Sequence, residues 1–356
     1  METKDRIIRL REVIQGRRKA TILTHNNPDP DGIASAYGLK LLLSELAGVE
    51  SEIRHGGIVA RAENQLMVKL LRIEMRPYRA SARQANDDRL VAVVDTQPGG
   101  MNLPLGPKDR VDIVIDHHPL HKATTKAPFQ DVRPGYGSCG AIVTEYLKEA
   151  GPALGKRPAT ALYYGIKTDT SDYARDIAPA DISAMHFLFP SVSLRLLHTI
   201  ENPTLPRAFF SLYFEALNSA RVHGDVIVVS LDRDGQPDFM AQMSDQLIRM
   251  QGVKWVFVCG PSGDACHFSL RGSSSRSPAG RMAQRVAGRV GSGGGHERSA
   301  GGQWPAPKAS PEEKRELCAQ MAARFLKAAH REQAQPEPLI VRPEPPRNQS
   351  DTEVSA

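Results

Sequence analysis

Short apolar runs alternate with amphipathic segments through the first half of this chain of 356 residues. An alternation of strands and helices with this spacing indicates a parallel sheet covered by helices. The predicted strands are Ala20 to Thr24, Ser51 to His55, Leu90 to Val94 and Asp112 to Ile115, and the predicted helices are Ile33 to Ala47, Gly140 to Ala150, Ala159 to Ile166 and Ala180 to Leu188. The fold class that this pattern predicts is α/β.

The pattern loosens after Pro190 and then resumes, which predicts a second and smaller α/β domain. Its predicted strands are Val226 to Leu231, Trp255 to Cys259 and His267 to Leu270, with helices near Phe239 to Met250, Arg281 to Val290 and Ser310 to His330. We therefore predict an N-terminal parallel-sheet domain at residues 1–190, a linker and helix at 191–222, a C-terminal domain at 223–332 and a disordered tail at 333–356. We expect a bilobal molecule with an interdomain cleft.

Composition excludes several classes of protein. No apolar run approaches the ~20 residues that span a bilayer, and the amino terminus lacks the apolar core of a secretory signal. We therefore expect a cytoplasmic protein that does not bind a membrane. The four cysteines have no paired-ligand spacing, which argues against a thiolate zinc site and for reduced thiols. A net charge of +6 fits an anionic partner, but it also fits many proteins that bind none.

Acidic and histidine side chains follow the ends of the predicted strands. His25, Asp29 and Asp31 follow the first strand, at the edge where open α/β sheets place their ligands. Asp-Pro and Asp-Gly are also ordinary turn formers, and Asp31 could simply cap the next helix. Taken alone, this motif leaves both interpretations open.

Three further acidic sites occur later in the chain, at Asp95, at Asp116-His117-His118 and at Asp169. Each could be an ordinary turn residue, but four such sites in this order indicate a metal centre. The set supplies five carboxylates and three imidazoles without a thiol, so manganese or magnesium fits better than zinc. Two cations would share one bridging carboxylate and would act together on a phosphoryl group.

The order of these motifs resembles the DHH phosphoesterase superfamily, which includes RecJ exonucleases, family II pyrophosphatases, cyclic-di-AMP phosphodiesterases and nanoRNase/pAp phosphatases. The resemblance implies that two divalent cations bind, with manganese favoured and magnesium as the alternative. It implies that one cation is held by His25, Asp29 and Asp95, and the other by Asp31, Asp95, His117 and Asp169. His118 would then face the substrate phosphate, and Asp116 would orient the histidines.

A second motif lies in the C-terminal half. Ser269-Leu270-Arg271 ends a predicted strand, and Gly293-Gly294-Gly295-His296 begins 22 positions after Arg271. Consecutive glycines let a backbone approach a phosphate, although a flexible linker would have the same composition. The pair of motifs resembles the first type of DHH-associated C-terminal domain, which implies that Arg271 and His296 grip a nucleotide. This argues against a pyrophosphatase, while Glu297 and Gly272 depart from the family pattern and leave the substrate preference open.

Two weaker signals accompany these motifs. Arg281, Arg285 and Arg289 recur every fourth residue, which predicts a basic helix face that is either simply solvated or guides an anionic chain. Ser138 lies at a predicted helix start, where it either contacts substrate or is a plain N-cap.

These features predict a hydrolase that cleaves phosphoester bonds when a hydroxide bridging two cations attacks phosphorus. The expected substrates are short nucleotides: oligoribonucleotides of a few residues, pAp, or linear and cyclic dinucleotides. His118 is a candidate for the leaving-group acid by position alone. The alternatives are an exopolyphosphatase-like enzyme and a non-catalytic module that senses nucleotides or binds nucleic acid. The sequence leaves a homodimer open.

Overall fold

A computed structural model describes residues 2–59, 61–79, 89–99, 102–106, 109–170, 177–235, 237–274, 278–295 and 298–341. The chain divides into two compact units, Met1–Pro203 (unit 1) and Thr204–Ala356 (unit 2). Within the described ranges, no helix is both long enough and apolar enough to cross a bilayer. All four cysteines are buried and none forms a disulfide.

Unit 1 is built on a six-stranded sheet in which every pairing is parallel. Its strands lie in the order β3-β2-β1-β4-β5-β6. They are β1 (Lys19–Asn26), β2 (Glu50–Gly56), β3 (Met75–Pro77), β4 (Leu90–Val94), β5 (Ile113–Asp116) and β6 (Phe129–Val132). All residues of β4 and β5 are buried, as expected for central strands with both faces covered. The predicted parallel sheet is confirmed.

Seven α-helices are described in unit 1. They are α1 (Thr3–Ile14), α2 (Pro30–Ala47), α3 (Ala62–Leu71), α4 (Cys139–Ala150), α5 (Lys156–Asp169), α6 (Pro179–Leu188) and α7 (Leu194–Glu201). Helix α2 begins with a capping aspartate and Pro30, and it ends at Gly48, whose φ of 64° suits glycine.

Glycines allow α2 to pack closely against α4 and α5. A Cβ atom on Gly38 would lie 2.6 Å from Val143 Cγ1, and one on Gly165 would lie 2.9 Å from Ala34 Cβ and 3.1 Å from the Cα of Asp31. Side chains at either position would push these helices apart. The close approach at Gly165 places the last turn of α5 beside the first turn of α2.

Unit 2 has a mixed seven-stranded sheet in the order β11-β12-β10-β9-β8-β7-β13, in which only β8 and β9 pair in parallel. Its strands are β7 (Arg221–His223), β8 (Val226–Ser230), β9 (Trp255–Ser262), β10 (Ala265–Gly272), β11 (Ser292–Gly295), β12 (Ser299–Pro305) and β13 (Glu337–Pro338). Its helices are α8 (Arg207–Ser219), α9 (Pro237–Leu247), α10 (Ala279–Ala287) and α11 (Pro311–Ala328). This is the second α/β domain that the sequence predicts.

Two expectations for this half need correction. Glu337 and Pro338, in the segment expected to be disordered, pair with β7, and the amide of Leu339 donates to the carbonyl of Ala220. Edge pairing with β7 orders this short segment despite its prolines; residues 342–356 lie outside the described residues. Helix α10 ends at Ala287, so Arg289 does not continue the helical face that carries the exposed Arg281 and Arg285.

Candidate metal centre

Three neighbouring strands bring the predicted ligands to one edge of the unit 1 sheet. Strands β1, β4 and β5 are adjacent and parallel, so their carboxyl ends meet at the same edge. His25 is the second-last residue of β1, Asp95 directly follows β4, and Asp116 ends β5. Asp95 has a φ of 56°, in the left-handed region that aspartate adopts more readily than most residues. Its amide donates to the carbonyl of Ile115 at 3.0 Å, which fixes the turn.

The start of α2 supplies two carboxylates with different partners. Asp29 is the N-cap, and its Oδ1 accepts a hydrogen bond from the Gly32 amide at 3.0 Å. Asp31 lies in the first turn and is buried, and its two oxygens accept from the amides of Cys139 at 2.7 Å and Gly140 at 2.9 Å. The interpretation of Asp31 as a plain cap of α2 is therefore wrong, because Asp29 caps that helix and Asp31 accepts from the start of α4.

Three groups of potential ligands form at this edge. The first is His25, Asp29 and Asp95, and the second is Asp31, His117 and Asp169; a third, overlapping group is Asp95, Asp116, His117 and His118. Within each group, one ligand atom from every residue lies within 4.8 Å of the others. Asp169 belongs to the second group because it ends α5, beside the start of α2.

Asp95 belongs to the first group and also lies beside His117 of the second. Its Oδ2 is 3.5 Å from His25 Nε2, and its Oδ1 is 3.4 Å from His117 Nε2. Each carboxylate oxygen thus faces a different imidazole. This geometry suits a ligand that two cations share, which is the role that the resemblance implied for Asp95.

The environment of these residues fits divalent cations. Asp95 Oδ1 and Asp169 Oδ2 are buried and accept no hydrogen bond from the described residues. Both oxygens lie near one atom, His117 Nε2, at 3.4 and 3.2 Å, and buried carboxylate oxygens that accept no hydrogen bond are costly unless a cation binds them. A Cβ atom on Gly32 would lie 3.2 Å from both Asp95 Oδ2 and His25 Nε2, so a glycine there keeps space beside the ligand atoms.

Backbone carbonyls fix the orientation of two histidines. His25 Nδ1 lies 3.0 Å from the carbonyl of Asn26, and His117 Nδ1 lies 3.2 Å from the carbonyl of Tyr136. Because a carbonyl only accepts hydrogen bonds, each Nδ1 carries a proton and donates it to that carbonyl. The Nε2 atom of each ring faces the carboxylates and can bind a cation in the neutral ring.

The cluster holds a strong excess of negative charge, and its pKa values are shifted accordingly. Burial lowers the pKa of His117, but the close contact with the Asp95 carboxylate and the charges of Asp95 and Asp169 raise it to about 11. Burial also lowers the pKa of His25, yet Asp29 and Asp95 raise it well above its usual value. Burial, followed by the charges of neighbouring carboxylates, raises the pKa of Asp31 well above its usual value and that of Asp169 to about 7. These pKa shifts show that the carboxylates of the site favour bound positive charge, either as protons or as cations.

Asp116 and His118 lie beside this cluster. Asp116 is fully buried, and its Oδ1 accepts from His118 Nδ1 at 2.9 Å and from the backbone amide of His117 at 2.9 Å. Asp116 thus contacts the ring of His118 but only the backbone of His117, whose ring Tyr136 orients instead. The side chain of His118 is 35% exposed, so solvent and substrate can reach it.

Sequence reasoning missed Gln97, which holds the segment after β5. Its Nε2 donates to Asp116 Oδ2 at 2.6 Å and to the carbonyl of Pro119 at 3.1 Å. Its Oε1 accepts from the His121 amide and the Thr124 hydroxyl, each at 2.8 Å. Its position two residues after Asp95 was the only signal available, because all of these partners lie more than eighteen positions away.

Ser138 has the capping role that was the alternative to substrate binding. The residue is fully buried; its hydroxyl accepts from the Ala141 amide at 3.2 Å and donates to Asp181 Oδ1 at 2.9 Å. Both partners are internal, which removes the hydroxyl from contact with a ligand.

In unit 2, Arg271 is held by a carboxylate that the sequence did not reveal. Its Nε and Nη2 donate to the two oxygens of Asp245 at 2.5 and 3.2 Å. Its Nη1 donates to the Ser269 hydroxyl at 3.1 Å and to the carbonyl of Leu270 at 3.0 Å. These contacts use four of the five N–H groups of the guanidinium, and the side chain is 10% exposed.

The glycines Gly293, Gly294 and Gly295 form strand β11 and pair with Gly302, Gly301 and Ala300 of β12. A Cβ on Gly293 would lie 2.6 Å from the carbonyl oxygen of Ala283, so this glycine is needed for packing against α10. A Cβ on Gly294 would meet nothing within 4 Å, which leaves that position open to a ligand. The predicted flexible-linker alternative is wrong for these residues, whereas His296 lies outside the described residues.

Comparisons with known proteins agree with both units. Residues 19–166 match the DHH family, N-terminal domain, and residues 223–328 match the DHHA1 domain. An uncharacterized protein of Methanocaldococcus jannaschii is 34% identical over 308 residues, which are 86% of this chain and 62% of that protein. A probable manganese-dependent inorganic pyrophosphatase of Streptococcus pyogenes is 26% identical over 155 residues, which are 43% of this chain and 48% of that protein. The chain spans less than two thirds of the length of these relatives.

Solved structures share the fold. An exopolyphosphatase-related protein from Bacteroides fragilis has a TM-score of 0.70 at 15% identity, covering 92% of this chain and 98% of that one. The exonuclease RecJ bound to manganese has a TM-score of 0.50 at 14% identity, covering 93% and 95%. A DHH N-terminal domain that carries every proposed ligand except Asp169, followed by a DHHA1 domain, shows that the chain belongs to the DHH superfamily.

Proposed function

We propose that this protein is a metal-dependent hydrolase of phosphoester bonds that uses two divalent cations, with manganese favoured. The observation that carries the proposal is Asp95, whose two oxygens face the imidazoles of His25 and His117 and whose Oδ1 has no hydrogen-bond donor among the described residues. A carboxylate in this position suits a ligand between two cations better than it suits any structural role.

In this proposal His25, Asp29 and Asp95 hold one cation, and Asp31, Asp95, His117 and Asp169 hold the other. When bound, the pair would neutralise charge on a phosphoryl group and lower the pKa of a water molecule. The protein fixes the ligand atoms beforehand: carbonyls hold both histidines at Nδ1, and amides of α4 hold Asp31. Such fixed ligands avoid the reorganisation that would otherwise oppose the reaction.

His118 is placed to contact the phosphate rather than a cation. Its Nδ1 is engaged by Asp116, and the side chain is partly exposed, so a substrate can reach the ring. Burial lowers the pKa of His118, but the hydrogen bond with Asp116 and the charges of Asp95 and Asp116 raise it above its usual value. A histidine that is protonated near neutral pH can donate a hydrogen bond to a phosphate oxygen or a proton to a leaving group.

We propose short nucleotides as substrates: oligoribonucleotides of a few residues, pAp, or linear and cyclic dinucleotides. The support comes from the DHHA1 domain and from Arg271 and the open position at Gly294 within it. Asp245 and the neighbouring Ser269 and Leu270 hold the guanidinium of Arg271 in one orientation and leave one of its five N–H groups for a substrate phosphate.

A phosphoanhydride substrate such as short polyphosphate is the second candidate. The pairing of Arg271 with Asp245 favours this candidate, because polyphosphate needs no contact from Arg271. The cation cluster alone could bind a phosphate chain, which has no base to recognise. The pyrophosphatase and exopolyphosphatase-related names of two similar proteins point to the same bond type. The two candidates differ in whether unit 2 contributes to turnover.

The test is a manganese-supplemented panel of RNA of two to five residues, pAp, cyclic-di-AMP and polyphosphate. We expect hydrolysis of at least one nucleotide that EDTA abolishes and manganese restores. Arg271→Ala should then lower nucleotide hydrolysis far more than cleavage of a small artificial phosphodiester, with Lys254→Ala, at a basic residue directly before β9, as the control. Hydrolysis of polyphosphate alone would favour the second candidate, and no manganese-dependent hydrolysis at all would refute both.

A further inference from the structure

One loop contacts two ligands of the same cation group. Residues Tyr136 to Gly140, which we name the bracing loop, comprise the segment before helix α4 and the first two residues of that helix. The carbonyl of Tyr136 accepts from His117 Nδ1, and the amides of Cys139 and Gly140 donate to the two oxygens of Asp31. The second group, Asp31, His117 and Asp169, therefore depends on the position of this loop.

The first group has no such dependence. His25 is held at Nδ1 by the carbonyl of Asn26, and Asp29 is held by the amide of Gly32. Both contacts lie within β1 and the start of α2, so they do not involve the bracing loop. A displacement of that loop would disturb one cation position and leave the ligands specific to the other in place.

A single buried carboxylate fixes the middle of the bracing loop. Asp181, in the first turn of α6, is fully buried. Its Oδ2 accepts from the amide of Gly137 at 2.8 Å and from that of Ala178 at 2.8 Å, and its Oδ1 accepts from the Ser138 hydroxyl at 2.9 Å. Asp181 thereby ties the bracing loop to the start of α6, and it is no ligand itself.

We propose that Asp181 is a positioning residue for the second cation alone, acting through the bracing loop on His117 and Asp31. Partners that orient ligands typically change metal affinity by about 10- to 100-fold when they are removed. The buried amide and hydroxyl that Asp181 accepts from would lose their acceptor in an alanine variant, and the loop would have to move to find new ones. The inference rests on the two-cation site proposed above.

The experiment measures manganese binding to the full chain by calorimetry and by electron paramagnetic resonance. We expect two cations per chain in the wild type, with the coupled signal of a close pair. In Asp181→Ala the second cation should bind at least about tenfold more weakly, while the first changes little and gives an uncoupled signal. Asp181→Asn keeps the side-chain volume and one carbonyl oxygen, so it should weaken the second cation by less.

Asp112→Ala is the matched control. Asp112 is also a buried carboxylate that accepts from a backbone amide, that of Val91 at 2.9 Å, but it precedes β5 at the end of the strand opposite Asp116. The Asp112→Ala variant should bind both cations as the wild type does. Circular dichroism checks that every variant is folded. If Asp181→Ala does not fold, a weakened second cation in Asp181→Asn still supports the inference.

Unchanged binding of the second cation in the folded Asp181 variants, or equal weakening of both cations, would overturn the inference. So would the same loss in Asp112→Ala. A wild-type protein that binds no manganese would instead refute the cation site itself, and the inference with it. The two failures are thus distinguishable.

Discussion

Replacing Asp169 with asparagine should stabilise the metal-free protein while weakening its hold on cations. Burial, followed by the charges of Asp29 and Asp95, raises the pKa of Asp169 from 3.8 to about 7, although His117 and His118 act in the opposite direction. Its ionised form is therefore disfavoured in the folded chain even with the nearby imidazoles included. Asparagine has a similar volume and carries no charge.

The size of the effect follows from the pKa shift. A rise from 3.8 to about 7 is a shift of about three units, which at about 1.4 kcal/mol per unit gives about 4 kcal/mol. The Asp169 side chain is 24% exposed, and solvent screening of this part reduces the expected gain to between about 2 and 4 kcal/mol.

The sign of the pH dependence is fixed by proton binding. The folded chain holds the Asp169 proton more tightly than the unfolded chain does. The free energy of unfolding therefore falls as pH rises from about 4 to about 7, and this contribution is constant above that range. The asparagine variant lacks the contribution, so its advantage should be near zero at pH 4 and complete at pH 8.

The assay is urea unfolding in EDTA at pH 4.5 and pH 8, followed by far-UV circular dichroism. Tryptophan fluorescence would not report on Asp169, because both tryptophans, Trp255 and Trp304, lie in unit 2. At pH 8 the midpoint of the variant should rise by about 1 to 2 M for typical denaturant slopes. Saturating manganese should reverse the order, since the wild type gains a ligand that the variant lacks. A variant no more stable than the wild type at pH 8 in EDTA would refute this electrostatic reasoning.

Three further substitutions, the last with a matched control, test other parts of the structure. Asp95→Ala should abolish manganese-dependent hydrolysis without unfolding the protein, because the φ of 56° costs alanine only about 1 kcal/mol; turnover and circular dichroism measure the two effects, and retained turnover would contradict a shared ligand. Gln97→Met should lower turnover more than manganese affinity, because Gln97 holds Asp116 and the segment after His118 but contacts no predicted ligand side chain. Steady-state kinetics and calorimetry measure the two effects, and a larger loss of affinity than of turnover would contradict this role. Gly293→Val should destabilise unit 2 by about 2 kcal/mol, because its Cβ would press on Ala283, whereas Gly294→Ala should not; tryptophan fluorescence during urea unfolding compares them.

Much of the sheet in unit 1 could be predicted because its central strands are continuous apolar runs. Leu90–Val94 has the predicted bounds, and the other predicted strands are correct to within a few residues. Helix α1 and strands β3 and β6 were not predicted. They are largely polar, with only part of each buried, so their structure depends on packing against neighbours that the local sequence does not reveal.

Strand β11 is a clearer example of an element that the local sequence does not predict. Ser292–Gly295 has no side chains that favour a strand, and its composition suggested a loop or a linker. Pairing with β12 and contact with α10 make it a strand, and the absence of side chains is what allows that contact. The motif was correctly singled out, while its conformation followed from tertiary structure.

The predicted metal ligands could be found because they share a position at strand and helix ends. The residues that orient them could not. Asp181 accepts hydrogen bonds from Gly137 and Ser138, which lie 44 and 43 positions away, and Asp245 pairs with Arg271 across 26 positions. A buried carboxylate in the first turn of a helix is common, so only the three-dimensional contact distinguishes Asp181 from an ordinary capping residue.

The same electrostatics link metal binding to pH. In the metal-free protein His117, with a pKa of about 11, and His25, with a pKa well above its usual value, are protonated and balance the carboxylates. A cation can bind their Nε2 atoms only after those protons leave, so cation binding releases protons and its affinity rises with pH. The carboxylates that keep the histidines charged are also the ligands that attract the cation. The histidine protons and the cations therefore compete for one set of negative charges.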